Sequence, residues 1–232
     1  MATPGLLLAG TDTGVGKTAL AQGILRLAQQ RRFRLVPYKP VETGCAPVAE
    51  DARRLCAAAA VPSLRPDDLS TFRFPDPVAP SVAARRAGVV IRPDQLLRDG
   101  RALEQRGDAL LIESAGGLLT PYAPGFTSSS LSELFAIDIL LVVPNRLGAI
   151  NHAALALSHI AHQRLRFAGL VLVDIAPNSS ATPLDNATEI AALTGTPPLG
   201  TLRHCPDDPD ELAAAVAADI ALENLFGGAL TR

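Results

Sequence analysis

Cysteine is scarce: three occur in the 232 residues, Cys45, Cys56 and Cys205. The number is odd and no two share the spacing of a metal-binding pair, which excludes a disulfide framework and a zinc site and predicts scattered thiols in a reducing cytoplasm. Charge of one sign is lacking too. The chain has 21 Lys+Arg against 23 Asp+Glu, a formal net charge of -2, so it carries no electrostatic footprint for nucleic acid. The pairs Arg31-Arg32, Arg53-Arg54 and Arg85-Arg86 read as solvated helix faces. No apolar run continues far enough without charge or proline to cross a bilayer, and the opening MATPG lacks the basic start and apolar stretch of a secretory signal. No repeat, no linker, and no Cys-His or Ser-His-Asp grouping is readable. The expected partners are therefore small molecules, with no nucleic acid and no membrane. The rest, 48% hydrophobic and 19% charged, suits one globular domain over residues 1–232 with a single core.

Short apolar runs alternate with longer amphipathic stretches. GLLLAG (5–10), RLVPY (34–38), DALLIES (108–114), DILLVV (138–143) and GLVLVD (169–174) read as strands. Three of them lack polar alternation, as strands buried on both faces do. Helical patterns fall at 17–30, 50–60, 94–106, 150–163 and 182–195, the last stopped by Gly195. The order predicts an α/β fold, a P-loop NTPase-type parallel β-sheet with helices on both faces. The proline-containing stretch from Pro62 to Pro80 is expected to wrap the sheet through Phe72, Phe74 and Val78. The end of the chain, about 226–232, is expected to be loose.

AGTDTGVGKTAL (9–20) joins the first strand to the first helix. The usual phosphate loop is G-x4-G-K-[ST]; here Thr11 stands where that glycine belongs, and Gly10 precedes it. The physics survives the shift. Backbone N–H groups from Thr13 through Gly14, Val15 and Gly16 to Thr18, with Ala19 opening the helix, can line an anion site. Lys17 would bridge β- and γ-phosphate oxygens of ATP or another nucleoside triphosphate, and the Thr18 hydroxyl would hold Mg2+.

Mg2+ prefers oxygen ligands, so a carboxylate should converge on Thr18. Glu113 ends its strand on the edge where a parallel sheet exposes its site, and Ser114, Ala115 and Gly116 follow it beside the nucleotide. Asp51, opening a helix, reads on its own as a cap. Lys39, at the end of the second strand, lies on the phosphate-loop side, where its ammonium could neutralise a transferred phosphoryl group. Thr43 could offer a hydroxyl to a polar substrate.

GTDTGVGKT, YKPVETG, ESAGGLLTP and NRLGAINH, in that order, resemble the dethiobiotin synthetase family over nearly the whole chain. The resemblance implies an ATP- and Mg2+-dependent cyclo-ligase. Such an enzyme converts 7,8-diaminopelargonate and CO2 into a cyclic urea, releasing ADP and phosphate by way of a carbamate and its phosphoric anhydride. It places Thr13, Lys17 and Lys39 around the carbamate and γ-phosphate, and Thr43 on the substrate. It makes Thr18, Asp51 and Glu113 the metal set, which raises Asp51 from cap to ligand. It also matches Gly148, Ala149, Ile150 and Asn151 to a helix start that binds the substrate's distal carboxylate from the partner subunit of a homodimer.

Three departures bear on the nucleotide. Ser114 replaces a glycine of the family's E-G-A-G-G and is expected to put a side chain near it. Val173 stands where relatives often read the adenine edge with Asn, leaving Asp174 beside it. Arg203, His204 and Cys205 replace the family's usual run at the nucleotide-facing loop. Strict selectivity for ATP is therefore not expected. A partition-type ATPase switch shares the fold class, but its signature lysine would fall at Asp12, an opposite charge. A cobyrinate-type amide synthase needs a further glutaminase domain, and a small-molecule kinase would release a phosphorylated product. A paralogue acting on another diamine is the remaining alternative. His152 reads as support for its helix start; His159 and His162 lack a third metal ligand.

Overall fold

The computed structural model describes residues 5–45, 48–177, 185–223 and 225–230. Six parallel strands form the central sheet: β1 (Gly5–Gly10), β2 (Leu35–Tyr38), β5 (Ala109–Gly117), β8 (Asp138–Pro144), β9 (Phe167–Val173) and β10 (Thr201–Leu202), in the order β10-β9-β8-β1-β5-β2. The continuous apolar runs in β1, β5, β8 and β9 are buried almost throughout, as burial on both faces requires. Pro37 sits in β2, an edge strand, where a missing N–H is tolerated. The edge strand β10 is two residues long, too short to template another sheet.

Helices cover the sheet. Helix α1 (Lys17–Gln30) packs against α2 (Glu50–Ala59) and α8 (Pro209–Asp219). Elsewhere α4 (Pro93–Glu104) packs against β2, β5 and α5 (Ser130–Phe135), and α6 (Ala149–His162) against β8 and α7 (Asn186–Thr194). β1 lies centrally, with β5 and β2 on one side and β8 to β10 on the other. The carboxyl end of β1 is thus where strand order reverses, the place a parallel sheet offers to ligands.

The sequence-based reading missed the smaller pieces. The 62–80 stretch holds β4 (Phe72–Phe74), which pairs in parallel with β3 (Val41–Thr43) in a separate two-stranded sheet. Phe72 and Phe74 are buried there, and Val78 is half-buried. Helix α3 (Pro80–Arg86) and the hairpin β6 (Pro121–Ala123) with β7 (Phe126–Thr127) are also short, below the length at which periodicity is readable. The 182–195 helix is observed as Asn186–Thr194; 182–184 lie outside the described residues. The expectation of a loose C-terminus needs correcting. Leu225–Gly228 forms a turn with left-handed backbone at Phe226 and Gly227, and Leu225 and Leu230 are buried in the core; residues 231 and 232 lie outside the described part. Among the described residues, no helix is long and apolar enough to cross a membrane.

Candidate active site

Gly16 caps α1 with φ 93° and no side-chain hydrogen bond, so the first N–H groups of α1 point outward for an anion. A Cβ at Gly16 would sit 2.6 Å from Val173 Cγ1, which fixes glycine there by space as well as by φ. The displaced glycine of the loop also has a physical reason. A Cβ at Gly10 would lie 2.8 Å from Lys17 Nζ, from Asp12 O and from Val15 Cγ2. Lys17 folds back over the loop, and its Nζ donates to the Asp12 carbonyl at 2.9 Å.

Four side chains meet beside Lys17, from α1, α2, β5 and the connection after β2. The Thr18 hydroxyl lies 2.9 Å from Glu113 Oε1 and 3.1 Å from Asp51 Oδ1. Lys39 Nζ lies 2.6 Å from Glu113 Oε1 and 2.7 Å from Asp51 Oδ2. Lys39 is 4% exposed, Lys17 6% and Glu113 1%. Burial disfavours both ammonium ions, but the outcomes differ. At Lys39 the nearby Glu113 and Asp51 outweigh burial and hold the pKa above its ordinary value. At Lys17 burial, reinforced by the charge of Lys39, brings the pKa down to about 8. Burial pushes Asp51 up, yet Lys39 more than compensates and keeps it below the usual carboxylate value. The cluster is thus two cations and two anions packed around one hydroxyl.

A cavity of about 630 Å³ contains this cluster, together with Thr13, Gly14, Gly16, Thr43, Ala115 and Gly116. A second, of about 290 Å³, joins it at Gly14, Gly16 and Ala19 and runs between Val173, Asp174, Leu202 and the loop Arg203–His204–Cys205. Asp174 there already accepts from Asn145 Nδ2 at 2.8 Å. Most sequence-selected residues therefore line one of two adjoining cavities, and three exceptions need stating. Ser114 is fully buried, its Oγ without a partner among the described residues, and lines neither cavity, because strand alternation turns it to the face opposite Glu113 and Ala115, while Gly116, with φ 65°, reaches the cavity by its backbone; the expected side chain near the nucleotide is not there. Val15 is buried with its side chain in the core, so only its backbone can serve the loop. Gly148, Ala149, Ile150 and Asn151 line neither cavity; they open α6 from an uncapped glycine with φ 93°.

Sequence reasoning passed over three residues that shape the site. Glu42, in β3, accepts from the backbone N–H groups of Asp51 at 2.9 Å and Ala52 at 3.1 Å. It therefore caps α2 from outside, a role that Ala49, at the N-cap, does not fill. Tyr122 Oη accepts from the Ala115 N–H at 2.8 Å, and Ser128 Oγ donates to the Ala115 carbonyl at 2.7 Å, pinning the backbone after Glu113. Only the quoted YKPVETG block could have pointed to Glu42; the other two contacts have no local signal.

Known proteins bear on this geometry. A family model described as an AAA domain matches residues 4–208. Three similar proteins are each named ATP-dependent dethiobiotin synthetase BioD. That of Anaeromyxobacter sp. is 38% identical, covering 88% of this chain and 91% of its own. That of Pseudomonas aeruginosa is 34% identical over 96% and 98%, and that of Mycobacterium sp. 35% over 81% and 83%. Among solved structures, the MinC:MinD cell division protein complex of Aquifex aeolicus has a TM-score of 0.59 at 14% identity, covering 97% of this chain and 94% of that one. The ParA family ATPase of Chlorobium tepidum has a TM-score of 0.55 at 11% identity, covering 99% and 98%. At such identities these two structures speak for the fold alone. Identity above 30% along almost the full length of the relatives speaks for more: this chain belongs to the dethiobiotin synthetase family.

Proposed function

We propose that the protein is an ATP-dependent dethiobiotin synthetase acting on 7,8-diaminopelargonate and CO2. The observation that carries this reading is the burial of two lysines, Lys17 and Lys39, in one cavity with a hydroxyl held between two carboxylates. A carbamate is a poor electrophile until its oxygen becomes part of a phosphate leaving group. Its formation from one amine gives an anion that must approach an anionic γ-phosphate. Lys17 and Lys39 reduce that repulsion, and Thr13 and Thr43 line the same cavity as hydroxyl donors. The carbamate oxygen displaces ADP, the second amine attacks the activated carbonyl, and phosphate departs as the ring closes. Holding both amines in one site makes that closure effectively intramolecular.

The residues present fit Mg2+. Glu113 Oε2 is buried beside the Thr18 hydroxyl and has no partner among the described residues, an orphaned acceptor where a hard cation would satisfy it. Among the described residues no group of three or more His, Cys, Asp or Glu could hold a metal unaided. Mg2+ does not need one, since it keeps waters and uses substrate phosphate oxygens. Thr18, Asp51 and Glu113 would hold the ion, which when bound supplies positive charge to the β- and γ-phosphate oxygens.

The decisive assay supplies the diamine, bicarbonate, Mg2+ and ATP, CTP or GTP in parallel, with mass-spectrometric detection of the cyclic urea and measurement of free phosphate. Product with stoichiometric phosphate is expected. Because Val173 offers no hydrogen bond and Asp174 is engaged by Asn145, the three nucleotides should differ less than a site with a dedicated base-reading amide would allow. No product with any of them would move the reading to another diamine or to a nucleotide switch.

Lys17 gives a pH prediction. With its pKa near 8 in the free protein, Lys17 is largely neutral at pH 9, and a bound phosphate restores the charge. Nucleotide binding should therefore take up a large fraction of one proton at pH 9 and much less at pH 7, with affinity falling as pH rises past 8. Calorimetry in two buffers of different ionisation enthalpy measures this directly; uptake that is the same at both pH values would remove Lys17 from the phosphate contact. In folding the sign is opposite. The unfolded chain keeps this proton up to the ordinary 10.5, so the contribution of Lys17 to stability rises with pH between about 8 and 10.5.

The reading includes a homodimer. Leu147, just before α6, is 89% exposed, and Leu119 and Leu155, at 63% each, border a third cavity beside Thr11 and Asp12. Exposed leucines grouped near one helix are costly in an isolated chain. Light scattering is expected to give twice the chain mass, and Leu155→Asp to halve it; a monomeric wild type would end this part of the reading.

A further inference from the structure

Among the described residues, Arg54 is the one charged residue that lines both the phosphate cavity and the cavity between Val173 and Cys205. Its neighbour Arg53 lines neither and stays on the solvated face, donating to Glu50. The arginine pair is thus split by the helix: one member faces water and the other faces the junction of the two cavities. Arg54 shares that junction with Gly14, Gly16 and Ala19, the backbone of the phosphate loop and its helix.

Charge makes the placement informative. The phosphate cavity is lined by the cations Lys17, Lys39 and Arg54 and by the anions Glu42, Asp51 and Glu113. Lys39 is held by two of those carboxylates. Without Arg54 the lining would be net negative, an unfavourable surround for a triphosphate. Arg54 is held by side-chain pairs at the surface. Its Nε donates to Glu50 at 3.0 Å and its Nη2 lies 3.1 Å from Asp207 Oδ2, with the three side chains 37%, 49% and 51% exposed. Exposed pairs of this kind hold weakly. Asp207 does not depend on Arg54, since Gln22 Nε2 donates to its other oxygen at 3.0 Å. A planar guanidinium that leaves a weak pair can meet a phosphate with two parallel N–H bonds.

We propose that Arg54 is a nucleotide-binding residue that exchanges its Asp207 contact for the polyphosphate where the chain crosses from one cavity to the other. The proposal rests on the nucleotide reading of these cavities and extends it to a residue outside the phosphate loop. Arg54 holds the nucleotide and does no chemistry, so its loss acts on affinity and not on turnover.

The test is calorimetric titration of the full-length protein with ATP and ADP, in wild type and in the variants Arg54→Ala, Arg54→Lys, Arg53→Ala and Asp207→Ala, each checked for an unchanged melting curve. Arg54→Ala should weaken both nucleotides about tenfold, with kcat at saturating ATP within about threefold of wild type. Arg54→Lys should fall between them, because the charge remains and the fork is lost. Arg53→Ala should bind as wild type does, and Asp207→Ala no more weakly than wild type. Unchanged affinity in Arg54→Ala overturns the proposal. So does equal weakening in Arg53→Ala, which would mean a general field, or in Asp207→Ala, which would mean that the pair only ties α2 to the loop before α8. A wild type that binds neither nucleotide would instead bring down the nucleotide reading itself.

Discussion

Lys39→Ala is expected to lower turnover by at least about a thousandfold while ATP affinity stays within about threefold, a split that kinetics and calorimetry on one preparation would reveal. The turnover estimate follows from removing a fixed charge aimed at a developing one in a water-excluded site. Lys39 is 4% exposed, lines the cavity and is held within 2.7 Å of both Glu113 and Asp51. Affinity should be spared because the phosphate loop and Lys17 remain. The substitution also strands two carboxylates. A buried pair that loses one partner destabilises by about 3–5 kcal/mol, and Asp51, kept low mainly against its own burial by Lys39, should rise toward or above its ordinary value. Lys39→Met, which fills the space, and assays run with Mg2+ present separate chemistry from folding. Equal losses of turnover and ATP affinity would make Lys39 a structural or purely phosphate-binding group.

The parts of this molecule legible from sequence were those whose signal is local. β1, the phosphate loop and α1 stand together in 26 consecutive positions from Gly5 to Gln30, and the apolar strands β5, β8 and β9 announce themselves by composition. What stayed hidden depends on contacts distant in sequence. Asp51 reads as a cap until Thr18 and Lys39 are seen against it, 33 positions away in the first case. Ser114 reads as a site residue because it follows Glu113, and strand alternation alone reverses that. Val173 was placed at the base end by likeness to relatives. The structure adds a reason that no pattern carries: its side chain packs under Gly16, so a polar residue there would have to be buried against the phosphate loop.

Glu42 shows how much of the site is held from behind, and its replacement carries the other large expected effect. Its two carboxylate oxygens take the N–H groups of Asp51 and Ala52, so the helix that presents Asp51 is anchored to β3 by an acid only 5% exposed. Burial and the neighbouring Asp51 push the Glu42 pKa up, against the two backbone donors that favour its ionised form. Glu42→Ala leaves both N–H groups without an acceptor. Loss of such a cap costs about 1–2 kcal/mol, or roughly 2–8 °C in Tm for a chain of this size. Asp51 would no longer be oriented toward Thr18, and losing an outer-shell partner of a metal ligand weakens metal affinity by about 10–100-fold. Mg2+ titration of ATP-dependent turnover measures that shift. Glu42→Gln makes the comparison sharper: its amide presents one acceptor and one donor to two N–H groups, so it should recover part of the stability and part of the Mg2+ affinity together. A variant that melts early but titrates with Mg2+ as wild type does would show that α2 finds its place without Glu42, and that Asp51 is aimed by Lys39 and Thr18 alone.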